Sequence, residues 1–190
     1  MHSPQFPVRL KRIVVESPFH KASLKVIFLA AVCRPRYNVT AEKMFDGKIG
    51  IWPFIEMLPA KRPSKNRPAG TILPTPVAIT REVYRTAIIE KIIPAIKNSW
   101  PGRKQFPIFI QKDNAKSHTL SSDKDVIREG TDGGWNISMV NQPPNSPDLS
   151  ILDLGYFNAI QSLQYGKDLN GLGELIRAVL QSFCSTVRKR

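Results

Sequence analysis

Acidic residues are scarce in this sequence. Its 190 residues carry 15 Asp or Glu against 28 Lys or Arg, a formal charge of +13. Such an excess favours a polyanionic partner, because each basic side chain laid on a phosphate backbone releases counterions. Cysteine is nearly absent as well. Cys33 and Cys184 lie far apart, which excludes a small disulfide framework and a thiolate metal cluster. Reduced thiols in an intracellular protein are the expectation. Long apolar runs are missing: none approaches the roughly 18 residues that a membrane span needs. The N-terminus has no apolar run followed by a cleavage site, so secretion is not expected.

The length suits one substantial core. The positive charge is concentrated early. Residues 1–100 hold 17 basic and 6 acidic side chains, and residues 101–190 hold 11 and 9. The first half therefore makes the stronger field.

Residues 1–24 mix basic, proline and apolar residues without a clear period, and Ile13-Val14-Val15 is a short strand candidate. Lys25–Val32 is apolar after its first residue and free of breakers, as a central strand is. Residues 49–55 predict the next strand, with Pro53 marking an edge or a bulge. Residues 59–76 hold five prolines and the basic cluster Lys61, Arg62, Lys65 and Arg67, which predicts a long basic loop. Thr80 caps a helix whose apolar positions run from Val83 to Ile96, and Pro94 should kink or divide it. Phe106–Ile110 predicts a buried strand, Ser121 to Asp123 a helix start, and Trp135–Val140 a half-buried strand. Leu169–Val187 supplies a last amphipathic helix, and Arg188-Lys189-Arg190 adds a positive tail.

The stretch with most chemical content follows the Phe106–Ile110 segment: Gln111-Lys112-Asp113-Asn114-Ala115-Lys116-Ser117-His118. A carboxylate just beyond a buried strand has a rigid support, as a metal site requires. Ser146-Pro147-Asp148-Leu149 comes later, with Asp153 opening the apolar run Leu154–Ile160. Between Asp113 and Asp153 lie 39 residues. Each carboxylate also has a plain role available. Asp113-Asn114 fits a turn, and Asp153 fits the positive end of a helix.

These motifs resemble the catalytic domain of the mariner-like branch of the Tc1/mariner transposases, in the form associated with plants and oomycetes. In that family the second carboxylate sits in a Gln-Asp-Asn-Ala type motif, matched by Lys112-Asp113-Asn114-Ala115. The third lies five residues after the Asp of a Ser-Pro-Asp-Leu motif, matched by Asp153 after Asp148. The resemblance runs from about Lys25 to about Tyr165, and includes residues 25–32, 45–50 and 65–71.

The resemblance implies an α/β fold: an RNase H-like mixed sheet flanked by helices. It implies Asp113 and Asp153 as catalytic metal ligands for two Mg²⁺ or Mn²⁺ ions, brought together in one site. Asn114, His118 and Asp148 would support them. It implies DNA as partner, a homodimer in the intact family protein, and nuclear rather than cytoplasmic residence. The family's first carboxylate stands on the first core strand, in an Asp-Glu-Lys-Trp-like motif. Nothing before Lys25 matches it, and Glu16 is the nearest substitute. The expectation is a partial transposase, truncated at its N-terminus and without its first core strand. Residues 1–24 form an atypical segment, 25–165 a partial catalytic domain, and 166–190 a helix with a basic tail. DNA cutting would be lost. A DNA-binding remnant that does not cut, and a decayed product without function, are the alternatives.

Overall fold

The computed structural model describes residues 7–16, 25–38, 41–63, 67–112, 121–143 and 171–185. Its strands are β1 (Val8–Glu16), β2 (Lys25–Val32), β3 (Arg36–Asn38), β4 (Lys43–Phe45), β5 (Lys48–Pro53), β6 (Ile55–Pro59), β7 (Ile72–Pro76), β8 (Ile108–Lys112) and β9 (Ile137–Asn141). Its helices are α1 (Arg81–Ala87), a π turn (Ile88–Ile92), α2 (Ile93–Ser99), α3 (Lys124–Thr131) and α4 (Leu172–Ser185). None of the helices among these residues is long and apolar enough to cross a membrane.

Five strands form a mixed sheet in the order β5-β2-β1-β8-β9. The pairs β1–β2 and β2–β5 are antiparallel. The pairs β1–β8 and β8–β9 are parallel. A strand does stand ahead of Lys25: Val8–Glu16 lies in the middle of the sheet, paired with β2 along Arg9–Glu16 and with β8 at Val8 and Arg9.

Alternation decides what each strand buries. On β2, Val26, Phe28, Ala30 and Val32 face one side, and Leu29 and Ala31 the other; all six are buried. This is the double-sided burial that its unbroken apolar run predicts. On one face Val8, Leu10, Leu29, Ala31, Ile108, Ile110, Ile137 and Met139 pack with Tyr84, Ile88, Ile92, Ile93 and Ile96 of the long helix. On the other face Ile13, Val15, Val26, Phe28 and Ile51 pack with Leu175, Ile176, Val179 and Phe183 of α4. The sheet is thus flanked by helices on both sides. β5 is its edge strand and ends at Pro53, as that proline requires.

Thr80 caps α1, its hydroxyl accepting from Val83 N–H at 3.2 Å. Pro94 does not divide the helix. The Ile93 N–H bonds Ile88, five residues back, and the chain stays helical through the π turn to Ser99. The wider turn makes room just before a residue that lacks an N–H and crowds the preceding turn.

Asp123 is the N-cap of α3, accepting from Asp125 N–H at 3.1 Å and Val126 N–H at 3.2 Å. Its other oxygen pairs with Arg85 of α1 at 3.0 Å, so the cap also seats α3 against α1. Arg85 reaches Asp125 as well, and Arg128 pairs with Asp125 at 2.8 Å. Gly130 lets α3 lie close on β9: a Cβ there would stand 2.4 Å from the Ile137 carbonyl oxygen. A Gly130→Ala variant should lose about 1–3 kcal/mol of stability by overpacking. Urea unfolding measures this, and an unchanged midpoint would refute the close approach.

Candidate functional site

Asp113, Asn114, His118, Asp148 and Asp153 lie outside the described residues, and so does Lys65. The support of the first of these is described. β8 ends at Lys112, one peptide before Asp113. The strand runs Ile108–Lys112 rather than the expected Phe106–Ile110. Phe106 sits in a turn, its N–H bonded to the Arg103 carbonyl at 3.3 Å, and its ring is 62% exposed.

Lys112 is only 6% exposed. Its Nζ donates to Asn141 Oδ1 at 2.7 Å, and Ser121 Oγ donates to the same oxygen at 3.3 Å. The Gln142 N–H donates to the Lys112 carbonyl at 2.8 Å. The end of β8 is thus tied to β9 by main chain and side chain together. A strand end fixed in this way gives the following residue a firm point of departure.

The other flank of β8 is β1. Val8 lies beside Ile110 and Arg9 beside Gln111. Around this level β1 carries Arg9, Lys11 and Arg12, all half-buried. Arg9 and Lys11 share the face of Ile13 and Val15, the one on which α4 packs, and Arg12 shares the face of Val8 and Leu10. Burial lowers the Arg9 pKa from its ordinary value. A guanidinium remains a cation at neutral pH despite such a shift.

Glu16 stands six residues beyond Leu10, about 20 Å along the strand. Its carboxylate is exposed and pairs with Lys25 at 2.7 Å. Glu16 therefore stands well away from the Arg9–Gln111 pair near the end of β8. A pair of divalent ions needs oxygen ligands. The carboxylates expected in that role, Asp113 and Asp153, lie outside the described residues.

The basic segment at 59–76 is not one long loop. Residues Ile55–Pro59 pair with Ile72–Pro76 in an antiparallel ribbon, from Ile55 opposite Pro76 to Pro59 opposite Ile72. Ala60 N–H to Thr71 O at 2.8 Å and Gly70 N–H to Ala60 O at 2.9 Å extend it. Pro59, Pro74 and Pro76 are tolerated because both strands of a ribbon are edges. Lys61, Arg62 and Arg67 lie exposed in its end loop. Glu56 is the sole acidic residue between 55 and 76.

Strand direction relates the two basic regions. β5 is antiparallel to β2, which is antiparallel to β1, so β5, β1, β8 and β9 all run the same way. The ribbon leaves from the end of β5, and Asp113 follows the end of β8. The two points are not level, however: Gln111 lies across from Arg9, Val32 and Lys48, at the start of β5, and the ribbon leaves past Pro53. Sequence reading missed the β1 cations and the Lys112 brace. The available signals were the pairs Val8/Leu10 and Ile13/Val15, and a lysine standing directly after a buried apolar segment.

Comparison of the sequence with protein-family models gives no match, and comparison with curated proteins gives none either.

The brace makes an unequal prediction for its two ends. Asn141→Ala removes the acceptor shared by Lys112 and Ser121 and should cost about 1–3 kcal/mol. Lys112→Met replaces the amine with an apolar chain of similar length and should cost less, since no buried charge is left behind. Chemical denaturation of both variants checks the order, and a greater loss in Lys112→Met would contradict it.

Proposed function

We propose that this chain is a DNA-binding protein built on the core of a mariner-type transposase, and that it does not cut DNA. The motifs around Asp113, Asp148 and Asp153 support descent from that family. A mixed sheet with helices on both faces is compatible with an RNase H-like core. So is a strand lying parallel beside the one that leads to Asp113, because a first core strand must bring its side chains to that point.

The observation that carries the proposal is the basic charge of the ribbon. Lys61, Arg62 and Arg67 stand exposed at its end, and β1 adds the half-buried Arg9, Lys11 and Arg12. Lysine and arginine at phosphates fix position on a duplex without reading its bases. The ribbon would straddle the backbone while the β1 cations meet it near the sheet, so binding would depend little on sequence. A nuclear protein that forms homodimers follows from the same reading.

Cutting is a separate matter. In a mariner-type core, metal ions activate the attacking oxygen and stabilise the leaving one. Asp113 and Asp153 lie outside the described residues, so no step through metal is derived for this chain.

Replacing Lys61, Arg62, Lys65 and Arg67 together with Gln should weaken duplex binding. It should also reduce the slope of log K against log salt by up to about 3.5, at about 0.9 for each phosphate no longer neutralised. A folded variant with the parent's affinity and slope would reject the ribbon's role. Incubation with an element-end duplex and Mg²⁺ or Mn²⁺ should give no cleaved or joined product. Product from the parent that disappears in Asp113→Asn would overturn the non-cutting reading.

A further inference from the structure

We propose that the ribbon enters the DNA minor groove with its apolar face, Met57 and Ile72 foremost, as a wedge that bends the duplex. This rests on the reading of the chain as a DNA-binding protein, and adds the groove and the contact that the ribbon uses.

Cross-strand register carries the argument. Ile55 stands opposite Pro76, Met57 opposite Pro74 and Pro59 opposite Ile72. Alternation puts these side chains on one face of the ribbon, and none of them is polar. Met57 is 59% exposed and Ile72 56%. Glu56, opposite Thr75, lies on the other face with Leu58 and Leu73. The segment's one acidic side chain is thus turned away from the apolar face. Lys61, Arg62 and Arg67 stand exposed just beyond its outer pair, Pro59 and Ile72. A contiguous apolar surface left in water and bordered by charge marks a contact surface, and this border is positive.

The chemistry of the face selects the groove. In the major groove each base pair presents donors and acceptors that a side chain must answer. Ile, Met and Pro carry no N–H or O–H donor in their side chains. In the minor groove, side chains of these types press between base steps, unstack them and kink the helix. The basic side chains at the ribbon end would hold the phosphates along the groove. Two strands about 4.8 Å apart, with side chains outside them, fill more than the roughly 6 Å of an undistorted minor groove. The ribbon therefore enters only as the groove opens, which is the bend. A wedge must also be stiff. The ribbon's root is the buried Phe54, whose N–H bonds the Ile27 carbonyl of β2 at 2.8 Å and whose carbonyl accepts from Val77 N–H at 3.1 Å.

The test uses the full chain and an A·T-rich duplex with a fluorophore at each end, read by energy transfer for bending and by anisotropy for affinity. A bend of at least about 20° is expected on binding. Met57→Ser with Ile72→Ser should abolish most of it and weaken binding several-fold. The slope of log K against log salt should stay at the parent's value, since an apolar contact releases no counterion. Leu58→Ser, on the opposite face, should keep the bend. Netropsin, which fills the minor groove, should displace the chain, and methyl green, a cation of the major groove, should not. Displacement by methyl green alone would overturn the proposal, and this comparison needs no variant to fold. So would a double variant with the parent's circular dichroism, bend and affinity. A double variant that loses self-association but bends DNA as before would give the face to a second copy and overturn it too. A slope that falls when the ribbon cations are replaced, with the parent's bend kept in the double variant, refutes this inference alone. A parent that binds no duplex refutes it together with the DNA-binding reading.

Discussion

The double pairing of β1 is the constraint on which the other features depend. Its antiparallel register with β2 runs from Arg9 opposite Val32 to Glu16 opposite Lys25. Its opposite edge takes β8 in parallel, with Val8 at Ile110. Without β1 the antiparallel pair β2–β5 and the parallel pair β8–β9 would be separate two-stranded pieces, each marginal in water. With it, one continuous sheet offers a face to the α1–α2 helix and another to α4. The same pairing decides which side chains meet at the end of β8.

Those side chains set the chemistry. Near the end of β8 the strand brings Arg9 beside Gln111. Lys112 adds a second positive group, but alternation turns it to the face of Leu10 and Ile110, where Asn141 holds it. Its role is to brace the strand. The ribbon adds Lys61, Arg62 and Arg67, exposed in its end loop. Stiffness of the support and sign of the charge therefore act together: a pinned strand end, a central strand with cations, and a basic ribbon.

Much of this arrangement can be read from the chain, and the exceptions have physical causes. β2 is legible because both its faces are buried, so its apolar run is unbroken. Thr80 and Asp123 announce their helices because a cap side chain has few other uses just ahead of an apolar period. β1 is obscure because it changes its buried face midway. Val8 and Leu10 point to one core, and Ile13 and Val15 point to the other, because different helices cover its two halves. No single stripe of period two survives, and the three cations between read as loop. The ribbon is obscure for another reason: its prolines deny strand in a sheet interior but not at an edge. Asp113 and Asp153, the motif residues from which the family resemblance was drawn, lie outside the described residues, so their approach to one another belongs to the sequence alone.

Native-state hydrogen exchange of the β1 amides tests the central claim most directly. A strand bonded inside a sheet opens only with the larger unit that contains it. Those Leu10–Val15 amides that bond β2 should then exchange as slowly as the amides of Leu29–Val32, and Gly130→Ala should speed both segments if they open as one unit. Exchange of residues 10–15 at the rate of the ribbon end around Gly70, with β2 still protected, would contradict β1 as the central strand. It would also remove the register that sets Arg9 beside Gln111.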